Sequence, residues 1–359
     1  MAALFVRRTR VIIVSVFAGV CLFLPFWAFA QNRPWSNTAP VIVRIIPGDG
    51  TVFIAGAKVP VHIIAYDANR DRLQYRFSIG GVIKRSWSSS STYYWQSSVS
   101  DTGTVSIFCE ARDRRGGSAQ KSAVFTFLNP APEEVLQKVS DNYYRIRDFK
   151  ADTLYSSTLN GKSFGDTQNC RYFFMAADKE KIETFSNSSR SVKTEVIITN
   201  GSQVYLVDPQ NKTKEEVSLM DSEGINAGEI DYMDIYYNQP RFLSNHSVGR
   251  VDAETNFNAK LICVEAVPLQ EKGLYSKLRL YIDYNKGILA KTCLYTGDAL
   301  TQTVEVGESR RMPGGEWVPV KISKIPALSS GRLVSTMVYS NIQINPGLNR
   351  DEFDPDKQY

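Results

Sequence analysis

The sequence predicts a mainly β protein in two units: a two-sheet sandwich over residues 39–128 and a larger antiparallel β structure with a few helices over 133–359. Three observations carry this. Short apolar or alternating runs follow one another between turn signals, and few have helical period over helical length. Tyr and Phe number 18 each, and such flat side chains pack well on a pleated surface. Asn129-Pro130-Ala131-Pro132 interrupts the strand pattern once, as a linker over 129–132.

Within 39–128 the strand-like runs are Val41 to Ile46, Val59 to Tyr66, Leu73 to Ile79, Val105 to Ala111 and Ala123 to Leu128. Pro47 to Gly50, Asp67 to Asn69, Gly80-Gly81 and Asp113 to Gly117 separate them. Several short strands in so short a span argue for a sandwich. Trp87 and Tyr93-Tyr94-Trp95 are read mainly as core, and Ser86 to Ser91 as a loop tip.

After the linker, Glu133 and Glu134 suit a helix N-terminus, and Val135, Leu136, Val139, Tyr143 and Ile146 recur at three- and four-residue spacing. That predicts one amphipathic helix over 133–147. Strands follow at 149–159, 169–177, 181–185, 192–199 and 203–207, with Asn200-Gly201 as a hairpin signal. Residues 221–246 break the pattern with one or two short helices. Strands resume at 260–267, and Leu278, Leu280 and Ile282 alternate with Lys277, Arg279, Tyr281 and Asp283. Further strands are expected over 288–296, 301–307, 317–325 and 332–344.

Residues 1–30 read as an export signal. Arg7, Arg8 and Arg10 precede an apolar run from Val11 to Trp27, and Ala28-Phe29-Ala30 fits a cleavage site that leaves Gln31 first. The alternatives are an uncleaved inner-membrane anchor or a cell-surface location. Val20 before Cys21 argues against a lipid-modified cysteine. Without residues 1–30 the chain holds 39 basic against 37 acidic residues, a balance that gives no overall electrostatic case for nucleic acid or an anionic surface. Cys109, Cys170, Cys263 and Cys293 match no metal or redox spacing; they are disulfide candidates of undetermined connectivity or buried apolar residues.

Enzymatic motifs are not found. No G-x-S-x-G, P-loop or H-E-x-x-H occurs, and His62 and His246 lie far apart. The expectation is a non-enzyme with no cofactor and no metal. Asp67 and Asp71 are read as turn formers, since Arg70 and Arg72 beside them oppose a divalent cation.

Two resemblances sharpen this reading. Ala65-Tyr66-Asp67, Asp71-Arg72-Leu73-Gln74-Tyr75-Arg76-Phe77, Ala111-Arg112-Asp113 and Gly116-Gly117 resemble bacterial immunoglobulin-like modules of the cadherin and PKD type. In the second unit, several segments in order resemble the LolA/LolB superfamily of outer-membrane lipoprotein-sorting proteins over about 133–356. They are Val135-Leu136 to Phe149, Ile197 to Gly201 with Val204 to Pro209, Leu280 to Asp283 with Gly287-Ile288-Leu289, Gly315 to Pro319, and Asn345 to Leu348 with Phe353-Asp354-Pro355. The family often has a Lys/Arg-Pro after its second strand; here the stretch is Ala176 to Lys181 with no proline, so that basic residue is not carried over.

The resemblance implies an immunoglobulin-like sandwich followed by a half-open antiparallel β-barrel with covering helices. It implies a periplasmic carrier whose concave face takes acyl chains of a lipid or lipoprotein. The lining read from strand alternation is Phe149, Leu154, Tyr172, Phe174, Val204, Leu206, Leu278, Leu280 and Ile282; the same residues would equally fill an ordinary core. The first module is expected to engage envelope proteins. The alternative is a structural or sensory envelope protein whose second unit binds a protein partner.

Overall fold

The computed structural model describes residues 36–359 except 177, 187, 202, 218–231, 271–274 and 329–330. The expected export signal, residues 1–30, therefore lies outside the described residues. The first eight strands are β1 (Val41–Ile46), β2 (Val52–Ile54), β3 (Lys58–Tyr66), β4 (Gln74–Ile79), β5 (Val82–Ser88), β6 (Thr92–Gln96), β7 (Gly103–Arg112) and β8 (Ser118–Leu128). They form a three-stranded sheet, β1-β3-β6, and a five-stranded sheet, β2-β8-β7-β4-β5. The sheets share one core in which Val59, Val61, Phe77, Ile107, Phe125 and Phe127 are buried. Alternation along β3 and β7 produces it, because every second side chain enters the same face.

Strands β2, β5 and β6 add to the set that the sequence predicts. Residues 86–88 of the serine run belong to β5, and the turn falls at 89–91. Trp95 is buried, but Tyr94 is exposed, and Trp87 lies between the guanidinium groups of Arg76 and Arg112 at 4.9 and 4.3 Å.

The stretch 129–132 joins β8 to helix α1 (Pro132–Tyr143). Pro130 is buried, and Arg250 donates to Asn129 Oδ1 and to the Pro130 carbonyl. Gly56, at φ +95°, lets β2 turn into β3 against Phe257; a Cβ there would stand 2.9 Å from that ring. Ile54 joins the core beneath α1.

The rest of the chain comprises β9 (Asp148–Leu159), β10 (Lys162–Ser163), β11 (Gln168–Met175), β12 (Lys179–Phe185), β13 (Lys193–Asn200), β14 (Gln203–Asp208) and β15 (Thr213–Val217). Helices α2 (Tyr232–Tyr237) and α3 (Gln239–Asn245) follow. Then come β16 (His246–Arg250), β17 (Leu261–Pro268), β18 (Lys277–Asp283), β19 (Ile288–Thr296), β20 (Ala299–Arg311), β21 (Trp317–Pro326) and β22 (Leu333–Ile344). All these strands make one antiparallel sheet, ordered β15-β14-β13-β12-β11-β9-β22-β21-β20-β19-β18-β17-β16, with β10 on β9. Among the described residues β15 and β16 do not pair, so the sheet is open and not a closed barrel.

Helix α1 carries Val135, Leu136 and Val139 on its buried face, and Pro132 with two acids opens it. Asn142 fastens it to β21: its Nδ2 donates to the Trp317 carbonyl and its Oδ1 accepts from the Trp317 N–H, both at 2.8 Å. The β18–β19 turn abuts the same helix. Gly287, at φ +64°, is required there, since a Cβ would stand 2.2 Å from the Lys138 carbonyl oxygen. Asn345 and Asp148 hold the chain after β22 at the start of β9, Asn345 Oδ1 accepting from the Arg147 and Asp148 N–H groups.

The C-terminal residues pack on the sheet face away from the helices. Phe353 and Leu348 sit with Phe173, Val196, Ile198 and Val207. Lys181, 2% exposed, is paired there with Glu183 at 3.2 Å and Glu352 at 2.7 Å, over the Phe173 ring. The four described cysteines are free and buried, with no disulfide among them. Burial pushes the thiols of Cys109 and Cys263 up to about 12.

Candidate functional site

The cross-strand register decides which candidate residues share a face. Phe149 stands opposite Phe174, and Ala151 opposite Tyr172, so both rings of β11 join the Phe149 face of β9. Tyr172 opposes Ile182, which opposes Ile197, which opposes Leu206; Thr199 opposes Val204. On the other half of the sheet, Leu278, Leu280 and Ile282 lie opposite Ala266, Val264 and Ile262. Eight of the nine predicted residues therefore lie on the face that carries the helices.

Leu154 does not. It lies five residues from Phe149, an odd separation, which turns it to the opposite face, where it is 42% exposed. Hydrophobicity groups it with Phe149 as part of one apolar strand; the pleat separates them.

The eight divide again by what covers them. Leu278, Leu280 and Ile282 are fully buried, in one cluster with Val135, Leu136 and Val139 of α1, Ile235 of α2 and Phe242 of α3. Helices occupy the space above them. Toward the middle of the sheet, Phe149, Tyr172 and Tyr339 form a triangle of edge-to-face rings with centroids 5.8–5.9 Å apart. Phe174 stacks on Tyr237 of α2 at 5.7 Å. These contacts suit the ring quadrupoles and leave flat apolar surface between strands. Tyr172 and Leu206 are half-buried and Val204 is buried. Tyr155, Ile197, Met337 and Tyr339 share their face and are half-buried too; no sequence signal singles them out.

Beside the aromatic triangle is a cavity of about 30 Å³ lined by Thr153, Tyr155, Cys170, Tyr172, Ile182, Thr184 and Met337, among others. That is about the volume of one water molecule. Thr153 Oγ1 is buried there with no hydrogen-bond partner. The Tyr172 hydroxyl donates to Glu180 at 2.8 Å. Among the described residues the face offers a shallow apolar wall around this small cavity.

Helix α2 covers its inner end. The Tyr237 hydroxyl donates to the Ile146 carbonyl at 2.8 Å, and Ser140 donates to the Tyr236 carbonyl at 3.1 Å. Tyr236 stacks on Tyr143 at 4.0 Å. Burial raises the Tyr143 and Tyr237 phenols well above the usual tyrosine value, so both stay neutral at any physiological pH. Helix α2 is held by these rings and neutral hydrogen bonds, and by an ion pair of its Asp234 with Arg241 of α3 at 3.3 Å.

Among the described residues no group of three or more His, Cys, Asp or Glu side chains is placed to hold a metal ion. His62 lies against Thr92 in the first unit, while His246 contacts the Phe242 carbonyl and Tyr275 in the second. Among the described residues no helix is long and apolar enough to cross a membrane.

No family model matches the chain, and no curated protein matches its sequence. Solved structures do match part of the chain. A domain assigned to the outer membrane lipoprotein-sorting proteins of Vibrio parahaemolyticus superposes with a TM-score of 0.50 at 16% identity, covering 63% of this chain and 97% of that one. A LolA-superfamily protein of Nitrosomonas europaea gives 0.46 at 16% identity over 62% and 97%. A DUF1329-family protein of Desulfovibrio piger gives 0.47 at 12% identity over 62% and 95%. The first of these likenesses shows the fold: the open sheet with its helices shares the fold of that lipoprotein-sorting-protein domain.

Proposed function

We propose that this chain is an exported, non-enzymatic carrier of the periplasm that takes acyl chains of a lipid or lipoprotein on the helix-bearing, concave face of a half-open barrel. The observation that carries it is the shared face of Phe149, Tyr172, Phe174, Val204 and Leu206, on which Tyr155, Tyr172, Leu206, Met337 and Tyr339 are half-buried and Phe174 lies against helix α2. An acyl chain laid on such a wall gains about 0.8 kcal/mol per methylene removed from water. The resemblance of the second unit to lipoprotein-sorting proteins supports the same reading.

The small closed cavity sets a condition. A chain of several methylenes enters only when α2 moves off Phe174 and Tyr143. Leu278, Leu280 and Ile282 lie under α1 and α3 as well, and in this reading they serve as the fixed floor of the lid. Residues 39–128 act as an immunoglobulin-like module that engages an envelope partner, joined through 129–132.

The test is to extract and identify lipids from the protein purified under non-denaturing conditions, then to titrate the stripped protein with a fluorescent fatty acid. The reading expects acyl lipid near one per chain and saturable probe binding. Lipid-free protein that binds no probe would overturn it.

A further inference from the structure

Positive charge is concentrated in the first unit. Residues 31–128 contain 12 Lys and Arg against 6 Asp and Glu, whereas 129–359 contain 27 against 31. Four exposed arginines sit at one end, beside Asp67, Asp71 and Asp113. The loop after β3 carries Arg70 and Arg72, and the β7–β8 turn carries Arg114 and Arg115; all four are exposed. The loops are neighbours, with Arg115 3.2 Å from Asp71 and Arg112 opposite Gln74.

The acids at this end are turned inward. Asp67 Oδ1 accepts from the Asn69 and Asp71 N–H groups, and Asp113 Oδ1 accepts from those of Arg115 and Gly117. The second oxygens of Asp67 and Asp71 are buried without a partner. Asp67 and Asp113 thus shape the loops, Asp71 pairs with Arg115, and Arg70, Arg72 and Arg114 are exposed. Tyr66, 56% exposed, and Val41, 45% exposed, stand opposite each other at the same end.

This end is also where the chain enters. Asn37 donates to Asp113 Oδ2 at 2.6 Å, and the Thr38 N–H donates to Asn69 Oδ1 at 2.8 Å. The apolar run Val11–Trp27 ends nine residues before Ser36. Nine extended residues span about 30 Å, so while that run is held in a bilayer this end lies within that reach of its surface. Arg7, Arg8 and Arg10 before the run orient the remainder of the chain to the far side.

We infer that the Arg70, Arg72, Arg114 and Arg115 end is a docking surface for an anionic phospholipid bilayer. Guanidinium groups pair with lipid phosphates through forked hydrogen bonds, and Tyr66 with Val41 reaches the headgroup–acyl boundary. The inference is independent of what the second unit carries.

The test uses the chain from Gln31 onward, which removes the apolar run's own membrane affinity. It is sedimented with vesicles of phosphatidylcholine alone or mixed with phosphatidylglycerol. Binding is expected only to the anionic vesicles and should weaken as salt rises. The variant R70N/R72Q/R114N/R115Q should lose at least fiftyfold, from roughly fivefold per basic side chain at such a surface. Asparagine is chosen at 70 and 114 because both hold left-handed backbone, φ 63° and 66°. The all-lysine variant at the four positions keeps the charge and should bind. K162Q/K212Q/R310Q/R350Q, which removes four exposed charges from the second unit, should bind as the parent does. Equal binding to neutral vesicles, equal loss in that control, no loss in the first variant, or tighter binding to DNA or to an acidic protein than to vesicles would each overturn the inference.

Discussion

Replacing Tyr237 by Phe removes one hydroxyl and keeps the ring on Phe174. In the closed state that hydroxyl donates to the Ile146 carbonyl at 2.8 Å. A net hydrogen bond of this kind contributes about 1 kcal/mol. If α2 must lift before an acyl chain enters, the change moves the lid equilibrium toward open by about fivefold, at 1.4 kcal/mol per decade. Apparent affinity follows the fraction of competent protein, so a fluorescent fatty acid should bind Tyr237→Phe about fivefold more tightly. Stability should fall at the same time, with Tm lower by about 2–4 °C for a unit of this size. Opposite movement of affinity and stability is the signature of a lid. A drop in Tm with unchanged or weaker binding would refute it and show α2 to be ordinary packing.

Other substitutions separate the wall from the floor. Leu280→Ala, beneath the helices and fully buried, should cost about 2–5 kcal/mol in denaturant unfolding, whereas Leu206→Asn should weaken probe binding fivefold or more with Tm nearly unchanged. Gly287→Ala should be strongly destabilising by thermal melt, because its Cβ meets the Lys138 carbonyl and its φ is left-handed. Lys181 donates to Glu352 and holds that carboxyl below its ordinary value. The folded value is depressed, so its stabilisation is present above the unfolded value of about 4.3 and is lost as pH falls through the lower folded value. The Tm gap between parent and Glu352→Gln should therefore be constant near neutrality and close below about pH 4.

Much of the fold was legible because period-two alternation survives burial. Leu278, Leu280 and Ile282 read as one face and are one face. The hairpin at Asn200-Gly201 and the opening helix followed from local chemistry that tertiary packing did not override. Leu154 failed because an apolar side chain at odd spacing was read by hydrophobicity rather than by parity. Lys181 and Glu352 are 171 residues apart, and no local pattern announces a lysine that closes the C-terminal segment over Phe173. The division of the apolar face into covered floor and half-buried wall was illegible for a different reason. A core and a binding wall ask for the same residue types, and only the position of α1, α2 and α3 tells them apart. Trp87 shows the converse: the sequence places most of the group Trp87 and Tyr93-Tyr94-Trp95 in the core without saying which, and Trp87 lies half-buried against two arginines.

The central claim is that acyl chains lie on the helix-bearing face beside the aromatic triangle. A fatty acid carrying a diazirine along its chain, photolysed in complex with the protein and mapped by peptide mass spectrometry, tests it most directly. The account predicts adducts on Tyr155, Tyr172, Leu206, Met337 or Tyr339, lost when excess unlabelled fatty acid competes. Adducts on Leu154, Phe173 or the C-terminal residues of the opposite face, or labelling that competitor leaves unchanged, would contradict it.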